Sequence, residues 1–328
     1  MCNMKTKIEV LIDKTWLKYR DLLQVNELDK DKFIQALYNN SKKIPQESKV
    51  QLYPFIQILE EYLFTYNKFR EFVFSYWNNT KEKDRSIFGP LLLATKVSVD
   101  LCAIRSLILN GFAESSQVIF RSVVESLNLL IAMLDDKNLS EEYEESVKKK
   151  SGEKQFWYKH ISRGKLYKKL KPIVNSLKKN KEYFLRQTEY IKNLDSYLSN
   201  SVHSSMKSSI LIFSSSTIED KDKFNLSTIG KISGYSPSYI LGINHFLDNY
   251  LGLFIDYLIN NKFYFSHLKR FPDSMNILGG IISRMCMHRE VFPLFEDFEE
   301  SFQNALNDKE LHITSKSTRP PNSVGVGL

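Results

Sequence analysis

The chain has 328 residues, 42% of them apolar and 26% charged, and its 46 Lys and Arg against 38 Asp and Glu leave a net charge of +8. This balance excludes the low-hydrophobicity, high-charge composition of a disordered polypeptide, and the length allows a substantial core. Gly (12) and Pro (9) are few, and Leu, Lys, Glu, Phe and Tyr recur at helical spacing, so an all-α fold is expected.

The first residues, Met1 to Val10, alternate polar and apolar side chains without the apolar core and small-residue cleavage site of a signal peptide, which points to a cytoplasmic protein. Residues 1–80 read as an N-terminal helical block, with Trp16 to Leu23 and Tyr53 to Phe74 repeating at three and four residues and Pro45 and Pro54 interrupting it. The polar stretch Asn78 to Pro90, ending in Gly89-Pro90, reads as the internal boundary, and residues 90–312 as the main bundle. Pro90 to Leu109 and Phe112 to Leu134 are two strongly apolar helices joined at Asn110-Gly111, a pair suited to a left-handed C-cap. They predict a helical bundle centred on an antiparallel hairpin. Leu91 to Leu109 and Ile240 to Ile259 are the most apolar stretches. Each carries charged residues that would be costly at a bilayer centre, so both read as buried helices and no membrane partner is expected.

Residues 148–192 hold 15 Lys and Arg against three Glu, so the remainder of the chain is slightly acidic and the basicity is local. Aromatics interleave with it, among them Phe156, Trp157, Tyr158 and Tyr167. Such a segment binds RNA or another polyanion through Lys148, Lys149, Lys150, Lys168 and Lys169, with Trp157 as a stacking surface, although a solvated helix face has the same composition. A Ser-rich stretch, Ser199 to Ser216, and a polar loop to about Ser236 follow. Helices resume at Pro237 to Phe263, Ser274 to Met287 and Pro293 to Asn307, and residues 313–328 read as a disordered tail.

Cys2, Cys102 and Cys286 lie in no metal-ligand spacing, so neither a disulfide framework nor a structural metal is expected. No phosphate-binding glycine loop, metalloprotease helix or nucleophile elbow is present, and no cofactor is implied. Arg121 and Glu125 are four apart on one face of an otherwise apolar helix. Asp100 and Arg105 on the preceding helix are placed to complete a buried polar network with them, which fixes helix register or lines a binding pocket. His203, at the junction of the basic segment and the Ser-rich stretch, has the surroundings of a general acid or base. Arg284 and His288 share a face whose Met and Cys neighbours indicate core packing.

The run Lys96 to Asp136, above all Asp100, Arg105, Gly111-Phe112 and Phe120-Arg121-Ser122-Val123-Val124-Glu125-Ser126, resembles the bacterial helical family catalogued as domain of unknown function 5677. Leu198 to Ser204 resembles that family's later Ser and His motif. The resemblance covers about a third of the chain and implies a helical bundle with clustered Arg, Glu and His. It invites comparison with the HEPN ribonucleases of phage-defence systems, but none of the six histidines has an Arg at the HEPN spacing, and Arg284 precedes His288 with only three residues between. Two readings follow. In the favoured one the chain is a binding or sensor module that contacts a polyanion or a protein partner. In the other it is a metal-independent ribonuclease, with His203, Arg121 and Glu125 catalytic and Arg121 stabilising the charged phosphate.

Overall fold

A computed structural model describes residues 42–50, 52–78, 87–162, 164–177, 217–220, 223–226, 236–261 and 272–291. Two compact units divide between Lys43 and Ile44, and of the first only Lys42 and Lys43 are among the described residues. The described residues form an all-α bundle with one small β-hairpin. In chain order the elements are α1 (42–50), α2 (Tyr53–Asn78), α3 (Phe88–Leu109), α4 (Ala113–Asp135), α5 (Lys137–Lys148), α6 (Gly152–His160), α7 (Lys165–Ser176), β1 (Thr217–Asp220), β2 (Lys223–Leu226), α8 (Ser236–Asn260) and α9 (272–291).

The α3–α4 hairpin is the best-cored part of the bundle, as expected from its composition. Val97, Leu101, Ile104 and Ile108 on α3 and Phe120, Val123, Leu127 and Leu130 on α4 are buried. The turn closes as a Schellman cap, with Gly111 N–H donating to Ile108 O at 3.0 Å, Phe112 N–H to Leu107 O at 2.8 Å, and Gly111 at φ 78°. Pro90 stands in the first turn of α3, where its missing N–H breaks no helical bond. A side chain at Gly89 would meet Ser140 Oγ at 2.7 Å, so glycine lets the start of α3 lie against α5.

Helix α2 supplies an aromatic seam at helical spacing: Phe55, Tyr62, Tyr66, Phe69 and Phe72 are all buried. Tyr66 Oη donates to Leu247 O at 3.0 Å, and the Phe69 and Phe254 rings meet edge to face at 4.6 Å. Thus α2 packs on α8 as well as α3, and the buried residues of α2, α3, α4 and α8 belong to one hydrophobic core. Pro54 occupies the first turn of α2 and begins that helix. Helix α8 in turn packs on α4, with Tyr250 Oη donating to Leu127 O at 2.6 Å. Helix α9 runs antiparallel to α2, joined to it by Ser75–Ser274 at 2.9 Å near one end and by the Tyr62 and His288 rings, 4.2 Å apart, near the other.

Two departures from the sequence reading are local. The stretch expected to be a polar loop contains an antiparallel pair, Thr217 opposite Leu226 and Asp220 opposite Lys223, whose Lys-Phe-Asn-Leu strand alternates at period two. Ser115–Asp135 is long and apolar enough to cross a membrane, yet most of it is buried in the bundle, as befits a core helix.

Candidate functional site

Arg121, Val124, Glu125 and Asn128 stand at offsets of three, four and seven residues and so form one stripe along α4. With α7 and the end of α6 this stripe encloses a pocket of about 540 Å³. Buried Val124, Asn128, Leu166 and Leu170 form its floor, and exposed Trp157, Gly164, Lys168 and Lys171 stand around its mouth. Helix α7 turns Leu166, Leu170 and Ile173 inward at helical spacing and leaves its lysines outward, so an amphipathic helix laid on α4 puts cations at the rim of an apolar floor.

Local backbone geometry places the aromatic rim. Ile161 N–H and Ser162 N–H both donate to Trp157 O, at 2.9 and 3.0 Å, which ends α6 just past the tryptophan. Gly164, at φ 71°, turns the chain into α7, a left-handed conformation that glycine adopts without strain. Lys165 Nζ reaches back to Tyr158 O at 2.6 Å. Trp157 and Tyr158 lie edge to face with centroids 5.1 Å apart.

Inside the pocket, Arg121 Nε donates to Glu125 Oε1 at 3.1 Å, with side chains 20% and 28% exposed. Three residues further, Asn128 is only 5% exposed and its Oδ1 is buried without a hydrogen-bond partner. An amide oxygen left so costs about 1–3 kcal/mol and is unusual enough to need an explanation. Lys168 and Lys171 add positive charge to the pocket that the Glu125 carboxylate also lines.

The expected network of Asp100, Arg105, Arg121 and Glu125 does not form. Asp100 pairs with Lys96 on its own helix, and Lys96 also donates to Ser122 Oγ at 2.6 Å. Arg105 pairs with Glu60 on α2. The physical reason is rotational: Arg105 lies on the flank of α3 toward α2, and Asp100 sits with Lys96 beside Ser122 of α4, whereas Arg121 and Glu125 line the pocket with α7.

The basic segment is also divided. Lys148 pairs with Glu145 at 2.6 Å, Lys159 with Glu142 at 2.6 Å, and Lys169 lies 3.9 Å from Asp136. Glu142 also contacts buried His160 at 2.8 Å, and its hydrogen bonds from Lys159 and then His160 hold the carboxyl below its usual range. The acidic α5 therefore neutralises one side of the described segment, and Lys148, Lys149 and Lys150 lie away from the pocket that Trp157 and Lys168 line. His203, the Ser-rich stretch and residues 178–192 lie outside the described residues, as do Pro293 to Asn307 and the tail. Lys171 and Asn128 were not foreseen. Asn128 carries a readable signal, since it extends the Arg121 and Glu125 stripe by one helical turn.

A second polar group is sealed between α2, α8 and α9. His288 is 1% exposed with neither ring nitrogen hydrogen-bonded; Tyr62 Oη, both amide atoms of Asn244 and Asp248 Oδ1 are likewise buried and unpartnered. Burial, opposed by Asp248 and assisted by Arg284, lowers the His288 pKa to about 4, so the imidazole is neutral at pH 7. Arg289 Nε donates to Asp248 Oδ2 at 3.1 Å, and Arg284 stacks on Phe64, 4.2 Å from the ring centre, while pairing with Glu61. This matches core packing with an outward Arg. Among the described residues no group of three or more His, Cys, Asp or Glu is placed to hold a metal ion. In comparisons with known proteins, no family model, no curated protein and no solved structure matches the chain.

Proposed function

We propose that this chain is a helical binding module that holds a phosphate-bearing polyanion, with RNA as the leading candidate, at the pocket between α4 and α7. The observation that carries the reading is the meeting of Arg121, Lys168, Lys171 and Trp157 at one pocket. Cations at the mouth attract and position phosphates, and the aromatic rim offers a π-face for stacking. The Arg-Ser-x-x-Glu element behind the family resemblance is the charged wall of this pocket.

The test is fluorescence anisotropy of a labelled single-stranded RNA at several salt concentrations. Lys168→Ala with Lys171→Ala should weaken binding and flatten the slope of log affinity against log salt by about 1 to 1.5, the value for two lost phosphate contacts on a single strand. Lys148→Ala with Lys149→Ala should change it less. An unchanged slope in the first pair removes the pocket from the reading.

A further inference from the structure

The pocket between α4 and α7 keeps its lysines at the mouth and its apolar surface below. Val124, Leu166 and Leu170 on its floor are buried, whereas Lys168 and Lys171 stand exposed at the rim. The Glu125 carboxylate also lines it. A phosphate that entered would lose water against aliphatic side chains and meet that carboxylate, so phosphates belong outside. What suits the interior of about 540 Å³ is an uncharged body the size of one small ligand. Trp157 and Tyr167 line the same space. Trp157 is 38% exposed, with the Tyr158 ring packed against it edge to face, so an aromatic surface is already held at the rim. Beside it Gly164 is exposed, and a side chain there would meet nothing within 4 Å, so at that position the rim stands clear of the rest of the described chain.

We propose that the pocket takes one unpaired nucleobase, with the flanking phosphates outside on Lys168 and Lys171, and that the protein thereby selects single-stranded RNA over duplex RNA. The inference rests on the polyanion reading of the same site. A site made of cations alone would bind both forms, because both present the phosphate backbone. A concave site with an apolar floor requires the base to leave its stack. Pairing and stacking in a duplex oppose that step, whereas a single strand has bases free to splay onto an aromatic side chain. Stacking on Trp157 and contact with the aliphatic floor use the face of a base rather than its hydrogen-bonding edge, so the selection is for an unpaired base and not for one sequence.

Anisotropy titrations of the full chain with three labelled probes of equal length test the inference: a mixed-sequence single-stranded RNA, its blunt duplex, and a strand in which abasic sites replace the nucleosides. The duplex carries the most phosphate charge, so cations alone would favour it. The single-stranded RNA should instead bind about tenfold more tightly than either of the others, the effect of one stacked base. Trp157→Ala should bring the single strand down to the level of the abasic strand and leave its salt slope unchanged. Lys168→Ala with Lys171→Ala should weaken all three probes and keep their order. If the Trp157 variant fails to fold, the wild-type ratios decide alone. Duplex binding as tight as single-strand binding, with salt dependence retained, overturns base entry and leaves the polyanion reading standing, as does an abasic strand that binds like the natural one. A preference for the single strand that survives Trp157→Ala unchanged places the base elsewhere and overturns its assignment to this pocket. Binding of none of the three overturns both readings.

Discussion

The α4 face at Arg121, Glu125 and Asn128 and the junction at Tyr62, Asn244, Asp248 and His288 use similar ingredients: buried amides, a carboxylate, an arginine and neighbouring aromatics. They differ in their covers. Over the α4 face lies α7, whose apolar residues reach down while its lysines stay in water, so the polar stripe opens to solvent through a cationic mouth. Over the junction lie two long helices with aromatic faces, and Tyr62 Oη, the Asn244 amide, Asp248 Oδ1 and both His288 nitrogens are buried there without hydrogen-bond partners. On the α4 face the charged pair Arg121 and Glu125 keeps partial access to solvent. In the sealed junction an orphaned polar group is only a cost to the fold.

That contrast makes the junction the part most sensitive to pH. In the unfolded chain His288 takes a proton near pH 6.5, but in the fold only near pH 4. Between these values the unfolded state binds more protons, so stability falls as pH drops from about 6.5 and levels off below about 4, a loss of about 3 kcal/mol from this group. Urea denaturation of wild type and His288→Phe at pH 7, 5.5 and 4.5 measures it; parallel curves for the two proteins would show that the imidazole is not sealed.

A smaller effect is expected at Arg121. Its ion pair spans one helical turn in a partly open pocket, so Arg121→Ala should cost about 1 kcal/mol, well short of the 3–5 kcal/mol for breaking a sealed pair. RNA affinity should fall about tenfold, the loss of one charge-assisted contact. A drop of several kcal/mol in a thermal melt would mean that this face is as closed as the other and would dissolve the comparison.

Tyr62→Phe should have the smallest effect. The Tyr62 hydroxyl faces Asp248 without a closed hydrogen bond, and burial followed by that carboxylate raises its pKa far above the usual range. Removing an unsatisfied hydroxyl while keeping the ring should leave stability within about 1 kcal/mol of wild type or raise it. A larger loss in chemical denaturation would show that the hydroxyl is hydrogen-bonded in solution.

Local rules made several features readable from residues alone. Asn110-Gly111 announces its cap because only a residue free to adopt positive φ closes that turn. The pairing of Arg121 with Glu125 follows from the helical repeat, and Asn128 was within reach of the same reasoning. The partners of Asp100 and Arg105 were not, because each helix's rotation about its axis is set by which apolar stripe the neighbouring helices bury. Glu60, which holds Arg105, is 45 residues earlier on a different helix. Counting charge within residues 148–192 likewise missed Glu142 and Glu145, which stand just before that segment and fold back on it. Asn244 and Asp248, four apart in an apolar helix, carried the same signal as Arg121 and Glu125, yet nothing local distinguishes a stripe that faces a pocket from one that faces a seal.

Composition and helical periodicity by themselves determined that the described chain is a helical bundle built around the α3–α4 hairpin, since burial of an apolar stripe at period 3.6 is a property each segment carries alone. Tertiary structure decided which polar stripe is open and which is closed, and which lysines stand at the mouth rather than against α5. Those outcomes depend on what packs over each stripe, and a helix's own residues specify its faces but not its neighbours.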